Sequence, residues 1–354
     1  MRGVFRAGRA SGRLLPRVGI YRILVCRTVH TLGDSLTLTP LLEELGTVYP
    51  GAEVDIVTGC PSAQALYGAF PNVRSIFRLP THVAGHPIGT LKALHAMRRL
   101  RYDLVIDPDP RSQSGRLLTL RAHATLSLGY AGPNKSGTLT HGVNAADVPR
   151  HRATTAVYLL RAALGEGSSA REYPPPSLRL SAEETERGRH TLARIAGAPD
   201  DRTPLRCIGL FANATRDKLL GREWWNRFLA AFEPRAADHR LIEVLPAGGR
   251  SLLDDRYPGF YCSDVRRMAA VLANLSLHIS ADCGVMHLAW ASGAPTVGLF
   301  SVTDPVEWGP FGARSRSLDL RGTTPEQIAE MIAGMLPREP ACSDAGWSPF
   351  RRSA

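Results

Sequence analysis

The sequence predicts an α/β protein of two open parallel-sheet domains facing a cleft, and three observations carry that expectation. Short apolar runs alternate with longer amphipathic ones from Tyr21 onward, the pattern of parallel α/β layers. The stretch GEGSSAREYPPPSLRLS at 165–181, dense in glycine, serine and proline, divides two such patterns. With 354 residues, 44% of them hydrophobic, the chain is long and apolar enough to bury two cores.

The elements follow in order. Arg2, Arg6, Arg9, Arg13 and Arg17 precede the first strand with no acid among them, so residues 1–19 read as a basic extension, either solvated or in contact with a membrane surface. RILVC at 22–26, EVDIV at 53–57, YDLVI at 102–106 and ATLSLGY at 124–130 read as strands, too short and too β-branched for helices. Leu38, Leu41, Leu42, Leu45 and Val48 carry helical spacing, and Pro40 either interrupts that helix or begins its regular part. Beyond the divide, RCIGLFA at 206–212, HRLIEVL at 239–245, LSLHIS at 275–280 and APTVGLF at 294–300 read as strands. Between them REWWNRFLAAF, SDVRRMAAVLANL and GVMHLAWASG read as helices. In the second of these Ser263 stands where an N-cap belongs, and Met268, Val271 and Leu272 form an inward core stripe. The expected division is an extension at 1–19, domains at 20–175 and 176–340, and a tail at 341–354.

Composition narrows the function. Cysteines at 26, 60, 207, 262, 283 and 342 show neither close pairing nor zinc-ligand rhythm, which argues against a disulfide or metal framework and for a reducing, cytoplasmic setting. His82 and His86 in THVAGHP are flanked by Gly85 and Pro87, which oppose the helix that would align them as metal ligands. No apolar stretch is long enough to cross a bilayer, and residues 1–19 lack a signal-peptide core. The net charge of +11 is lopsided: residues 1–175 hold 21 Lys+Arg against 11 Asp+Glu (21 − 11 = +10), the remainder 22 against 21 (+1). The first half is therefore expected to meet something anionic. Nucleic acid is disfavoured, because no interleaved aromatic-basic motif, helix-turn-helix or zinc module is present.

Candidate sites lie just after strands, where ligands of open α/β folds bind. In SADCGVMHLAW at 280–290 a strand ends at Asp282, Cys283 and Gly284 and a helix begins; unpaired amides converge at such a point and can hold a phosphate, although an ordinary capped turn looks the same. In RTVHTLGDSLTLTP at 27–40, Gly33 permits a tight turn, and Asp34 either caps a helix or faces the cleft as a base. NATRDK gathers Asn213, Thr215, Arg216 and Lys218 in one loop, a solvated loop or a phosphate clamp.

The run ISADCGVMHLAWASGAPTVGLFSVTDPVEWGP at 279–310 resembles the C-terminal signature of glycosyltransferase family 9, the bacterial lipopolysaccharide heptosyltransferases and their relatives. LGDSLTLTPLLEEL, YPGAEVDIVTG, FPNVRSIFRL, RYDLVIDPDPRSQSG and TTAVYLLRAALG match that family in order and spacing, so the resemblance spans roughly 21–335. It implies a GT-B type fold of two Rossmann-like domains, the first binding acceptor and the second a nucleotide-sugar. It implies that the amides around Cys283, Gly284, Val285 and Met286 receive the donor diphosphate, that Asp282 contacts the donor sugar or orients the loop, and that His287 braces the turn. Lys218 matches the family's phosphate lysine, Asn213 and Thr215 match its loop donors less closely, Glu243 is a candidate for the nucleoside, and Asp34 matches the general base. Two departures stand out: Cys283 replaces the usual threonine, and PDPRSQSG replaces the usual text after the 102–107 strand.

The implied activity is inverting, metal-independent heptosyl transfer without a cofactor, from a nucleotide-sugar such as ADP-heptose to an anionic glycolipid. The implied acceptor is a lipopolysaccharide inner-core precursor at the cytoplasmic face of the inner membrane, with peripheral membrane contact. A related sugar for a capsule, O-chain or glycoconjugate, a nucleotide-sugar epimerase on the same plan, and a non-catalytic binder of anionic lipid or nucleic acid are the alternatives.

Overall fold

A computed structural model describes residues 14–80, 87–132, 135, 137–167, 171–198 and 206–336. Arg2, Arg6, Arg9, Arg13, His82, His86 and the 341–354 tail lie outside the described residues. The first sheet contains β1 (Arg22–Arg27), β2 (Glu53–Thr58), β3 (Val73–Arg78), β4 (Tyr102–Asp107), β5 (Ala124–Ala131) and β6 (His141–Asn144). They pair in parallel in the order β3-β2-β1-β4-β5-β6. Its helices are α1 (Leu32–Leu36), α2 (Thr39–Val48), α3 (Ala63–Tyr67), α4 (Pro87–Arg98), α5 (Gln113–Arg121) and α6 (Arg152–Ala163). Helix α7 (Ala182–Ile195) then leads into the second sheet: β7 (Cys207–Phe211), β8 (Arg240–Val244), β9 (Gly259–Phe260), β10 (Leu277–Ala281), β11 (Thr296–Phe300) and β12 (Arg316–Asp319). This sheet is also parallel, ordered β12-β11-β10-β7-β8-β9, the same path read from the other edge. Helices α8 (Arg222–Phe232), α9 (Val265–Leu272), α10 (Gly284–Ala291), α11 (Pro305–Trp308) and α12 (Pro325–Ala333) complete it. The two-sheet α/β architecture expected from the sequence is observed.

Burial on both faces explains the continuous apolar strands. Ile23 and Val25 of β1 face α2 and α6, while Leu24 and Cys26 face Met97 of α4 and Leu118 of α5. In the second domain Trp225, Phe228 and Phe232 of α8 join Ile328 and Ile332 of α12 on one face of the sheet. On its other face Met268, Val271 and Leu272 of α9 and Leu288 of α10 belong to an apolar cluster that continues into the first domain. No helix among the described residues is long and apolar enough to cross a membrane.

Several local expectations are corrected. Asp264, not Ser263, caps α9, its carboxylate accepting from the amides of Arg266 and Arg267, because an ionised acceptor one residue later serves two donors. Pro40 lies in the first turn of α2, where its missing N–H costs nothing, so it begins the helix. Of the basic extension, Leu15 is buried with its amide on the Ala163 carbonyl at 2.7 Å, and Arg17 pairs with Glu166 at 2.7 Å.

The described part of the connection between the domains is held at several points from Arg171 to Arg179. Arg171 meets Glu44 at 2.6 Å, Ser177 N–H donates to Thr39 Oγ1 at 3.0 Å, Leu178 N–H donates to the Ala291 carbonyl at 3.0 Å, and Arg179 reaches Glu43 at 3.1 Å.

Gly188 explains how α7 and α9 approach. Glycine inside a helix costs about 1 kcal/mol relative to alanine, yet a Cβ here would lie 2.1 Å from the Ala270 carbonyl oxygen. Gly188→Ala is therefore expected to destabilise the protein by about 1–3 kcal/mol despite better helix propensity. The denaturation midpoint measures this against Gly221→Ala, where the new methyl meets open space; equal midpoints would show that the helices can part freely.

Candidate active site

Both sheets reverse strand order next to their first strands, between β1 and β4 and between β7 and β10. A crevice forms at the carboxyl ends of such strands, and the segments leaving those four strands carry the candidate residues. Helix α1 follows β1. Thr31 is its N-cap: the Oγ1 accepts from the Asp34 amide at 3.4 Å and donates to Asp34 Oδ2 at 2.6 Å. Asp34 is thus oriented by the cap rather than being the cap, and its Oδ1 accepts no hydrogen bond among the described residues. Arg27 supports the turn, reaching Thr37 and the Asp34 carbonyl at 3.4 Å each and pairing with Asp109 at 3.1 Å.

Across from α1 stands the N-terminus of α10. Gly33 has no positive φ, so the expected tight-turn role is wrong; the glycine is required by proximity, since a Cβ would lie 2.7 Å from His287 Cδ2. A Cβ on Gly284 would lie 3.3 Å from that of Leu32. The proposed base and the phosphate-type turn therefore belong to helices that touch. Cys283, at the N-cap, and the next two residues remain partly exposed, whereas Met286 keeps its side chain in the core and can offer the cleft only its amide.

Lys218 reaches this turn from the loop after β7, its Nζ 2.7 Å from Asp282 Oδ2. Thr303 Oγ1 donates to the same oxygen. Asp282 is buried to 6% side-chain exposure, while Lys218 retains 30% and so keeps a face toward the cleft. His287 lies with Nε2 3.9 Å from Asp282 Oδ1, and its Nδ1 has no hydrogen-bond partner among the described residues. Burial pushes the His287 pKa down to about 4, against the pull of Asp282 and then Asp34 in the opposite direction, so the ring is neutral near pH 7. The other expected donors are less engaged: Asn213 is partly exposed and Thr215 exposed beside Arg216, which has φ of 53°. Glu243 is buried and holds its own loop, accepting from Ser251 Oγ at 2.5 Å and the Leu252 amide at 2.8 Å.

Three groups here were not read from the sequence: Thr31 as the partner of Asp34, Thr303 on Asp282, and a set of arginines bridging the domains. Arg111 and Arg152 meet Glu307 at 3.0 and 2.8 Å, and Arg150 meets Asp304 at 2.5 Å. His151 Nε2 lies 2.7 Å from the Gly309 carbonyl. The signal was present in TDPVEWGP, which contains Thr303, Asp304 and Glu307, but the basic partners lie more than 150 residues away in sequence. A separate cavity of 1190 Å³ opens between α3, α7 and α9 and includes none of the Asp34, Lys218 or Asp282 groups.

The segment from the N-cap of α9 into α12, residues 264–331, matches the model of glycosyltransferase family 9 (heptosyltransferase). The second domain carries the family 9 signature. That match contains Asp282, the α10 turn and Thr303, so the family 9 resemblance read from the sequence is borne out. Solved structures extend the likeness in fold to about nine tenths of the chain. A glycosyl transferase family 9 protein from Veillonella parvula superposes with a TM-score of 0.69 at 18% identity, covering 90% of each chain. E. coli heptosyltransferase WaaC with ADP gives 0.66 at 18% identity, covering 88% of this chain and 98% of that one. E. coli ADP-heptose lps heptosyltransferase II gives 0.63 at 18% identity, covering 89% and 98%. No curated protein sequence matches. The GT-B arrangement is thereby established, and the family 9 match with this fold supports a glycosyltransferase.

Proposed function

We propose that the protein is an inverting heptosyltransferase that uses an ADP-linked heptose and glycosylates a lipopolysaccharide-core acceptor at the cytoplasmic face of the inner membrane. The observation that carries this reading is the contact between the Asp34 helix and the N-terminus of α10, with Lys218 held at the same turn by Asp282. The donor diphosphate fits the α10 amides, where helix-terminal N–H groups and the helix dipole favour anions, with Lys218 as the nearby cation. Asp34 then takes the proton of an acceptor hydroxyl through Oδ1 as that oxygen bonds to the anomeric carbon. The bond from that carbon to the diphosphate breaks, and the leaving charge falls to Lys218 and the amides. Neutral His287 braces the turn without adding charge. ADP is favoured because the E. coli WaaC structure similar in fold is described with ADP, and the acceptor is assigned to the first half of the chain by the +10 excess of residues 1–175, of which five charges lie in the extension 1–19.

The proposed leaving-group chemistry uses no metal. A hydrolysis screen across ADP-, GDP-, UDP- and dTDP-sugars tests both points. The ADP-sugar is expected to turn over fastest, with EDTA leaving the rate unchanged. A preference for another nucleotide would refute the donor assignment, and loss with EDTA restored by magnesium or manganese would refute the metal-free step.

A further inference from the structure

The charge excess of the first half is unevenly neutralised. Several of its cations are tied to carboxylates: Arg27 to Asp109, Arg74 to Asp55, Arg116 and Lys135 to Asp107, and Arg161 to Glu44. Residues 87–101 and 111–125 hold seven Lys+Arg and no Asp or Glu. Within them Arg98, Arg99, Arg101 and Arg121 are exposed and have no ion-pair partner among the described residues. They lie on α4 and α5 or just beyond α4, the two helices that cover one face of the first sheet through Met97 and Leu118. The outer side of the same two helices also carries large apolar groups: Leu91 is 69% exposed, Leu117 52% and Leu120 44%.

We propose that this α4–α5 face docks on the surface of a lipid bilayer containing anionic lipid. Arginines alone would suit any polyanion, but leucines among them gain nothing from a sugar–phosphate backbone. At a bilayer interface the leucines enter the acyl boundary while guanidinium groups stay with phosphate headgroups. The apolar contribution is small, so binding is reversible and salt-sensitive. The arginines lie at the C-terminal ends of α4 and α5, beside the amino ends of β4 and β5, so docking uses the end of the first domain remote from the cleft and leaves the cleft uncovered. This surface is distinct from the candidate active site, and the inference stands without the donor or acceptor assignment.

The test is co-sedimentation of the full chain with phosphatidylcholine vesicles, with and without phosphatidylglycerol. Binding is expected only when phosphatidylglycerol is present, falling about five-fold for each arginine neutralised among Arg98, Arg99 and Arg121. L117Q/L120Q is expected to weaken it too, with the thermal midpoint unchanged because both side chains are already half-exposed. Equal binding to both vesicles, or none, overturns the proposal. So does retention of full binding by L117Q/L120Q, which would leave a purely ionic contact, or loss of binding when residues 1–13 are deleted, which would move the contact to the N-terminal arginines.

Discussion

Replacing Asp34 with asparagine is expected to lower turnover by about 10²–10⁴-fold while nucleotide affinity stays near its starting value. The substitution keeps the size of the side chain, and an amide oxygen can still accept from Thr31, which now donates at 2.6 Å. What it removes is a group able to take a proton. The diphosphate contacts assigned to α10 and Lys218 lie on the other domain, and Gly33 still lets His287 approach. Loss of one first-turn charge costs α1 about 0.3–1 kcal/mol, too little to mimic the kinetic effect. Single-turnover rates and calorimetric titration with nucleotide separate the two quantities. Near-normal turnover in the folded variant would end the assignment of Asp34 as base, and a parallel fall in affinity would make it a binding group.

Lys218→Ala is expected to weaken nucleotide binding and slow the chemical step by about 10²–10³-fold, the scale seen when one preorganised donor to a developing anion is lost. Part of this effect comes from Asp282. With Lys218 gone, a carboxylate of 6% side-chain exposure keeps, among the described side chains, the Thr303 hydroxyl as its hydrogen-bond donor and a neutral His287 ring 3.9 Å away, and stands without a compensating cation beside the proposed phosphate seat. Adding Asp282→Asn to Lys218→Ala should therefore restore part of the lost affinity, although not the rate. Additive losses in the double variant would mean that Asp282 grips the donor itself. Unchanged binding in Lys218→Ala would leave the lysine as a surface partner of Asp282.

The inner strands are legible because they are buried and appear as short, mainly apolar runs, even where one buried acid interrupts them, as Asp55 does in β2 and Glu243 in β8; the sequence spans of β1, β2, β4, β5, β7, β8, β10 and β11 agree with the structure within a residue or two. The edge strands β3, β6, β9 and β12 were not read as strands from their apolar pattern. They are short or only partly buried, so little distinguishes them from loops. The turn at 282–284 and the family 9 resemblance were visible because both reside in contiguous text. Lys218 and Asp282, 64 residues apart, could be nominated separately but not paired. Gly33 illustrates the general limit: its need for glycine comes from His287 on the other domain, and local text offers only a turn.

The clamped connection between the domains has a consequence for how the chain could be cut. Glu43 and Glu44 of α2 hold its arginines, and Leu178 bonds its amide to Ala291 while its carbonyl accepts from Arg266 at 3.1 Å. The apolar cluster behind it runs unbroken from Leu41 to Leu288. Covalent continuity is therefore a minor part of what keeps the halves together. Two fragments produced as separate polypeptides and divided near residue 168 would each present a matching face, and would reassemble as a split protein.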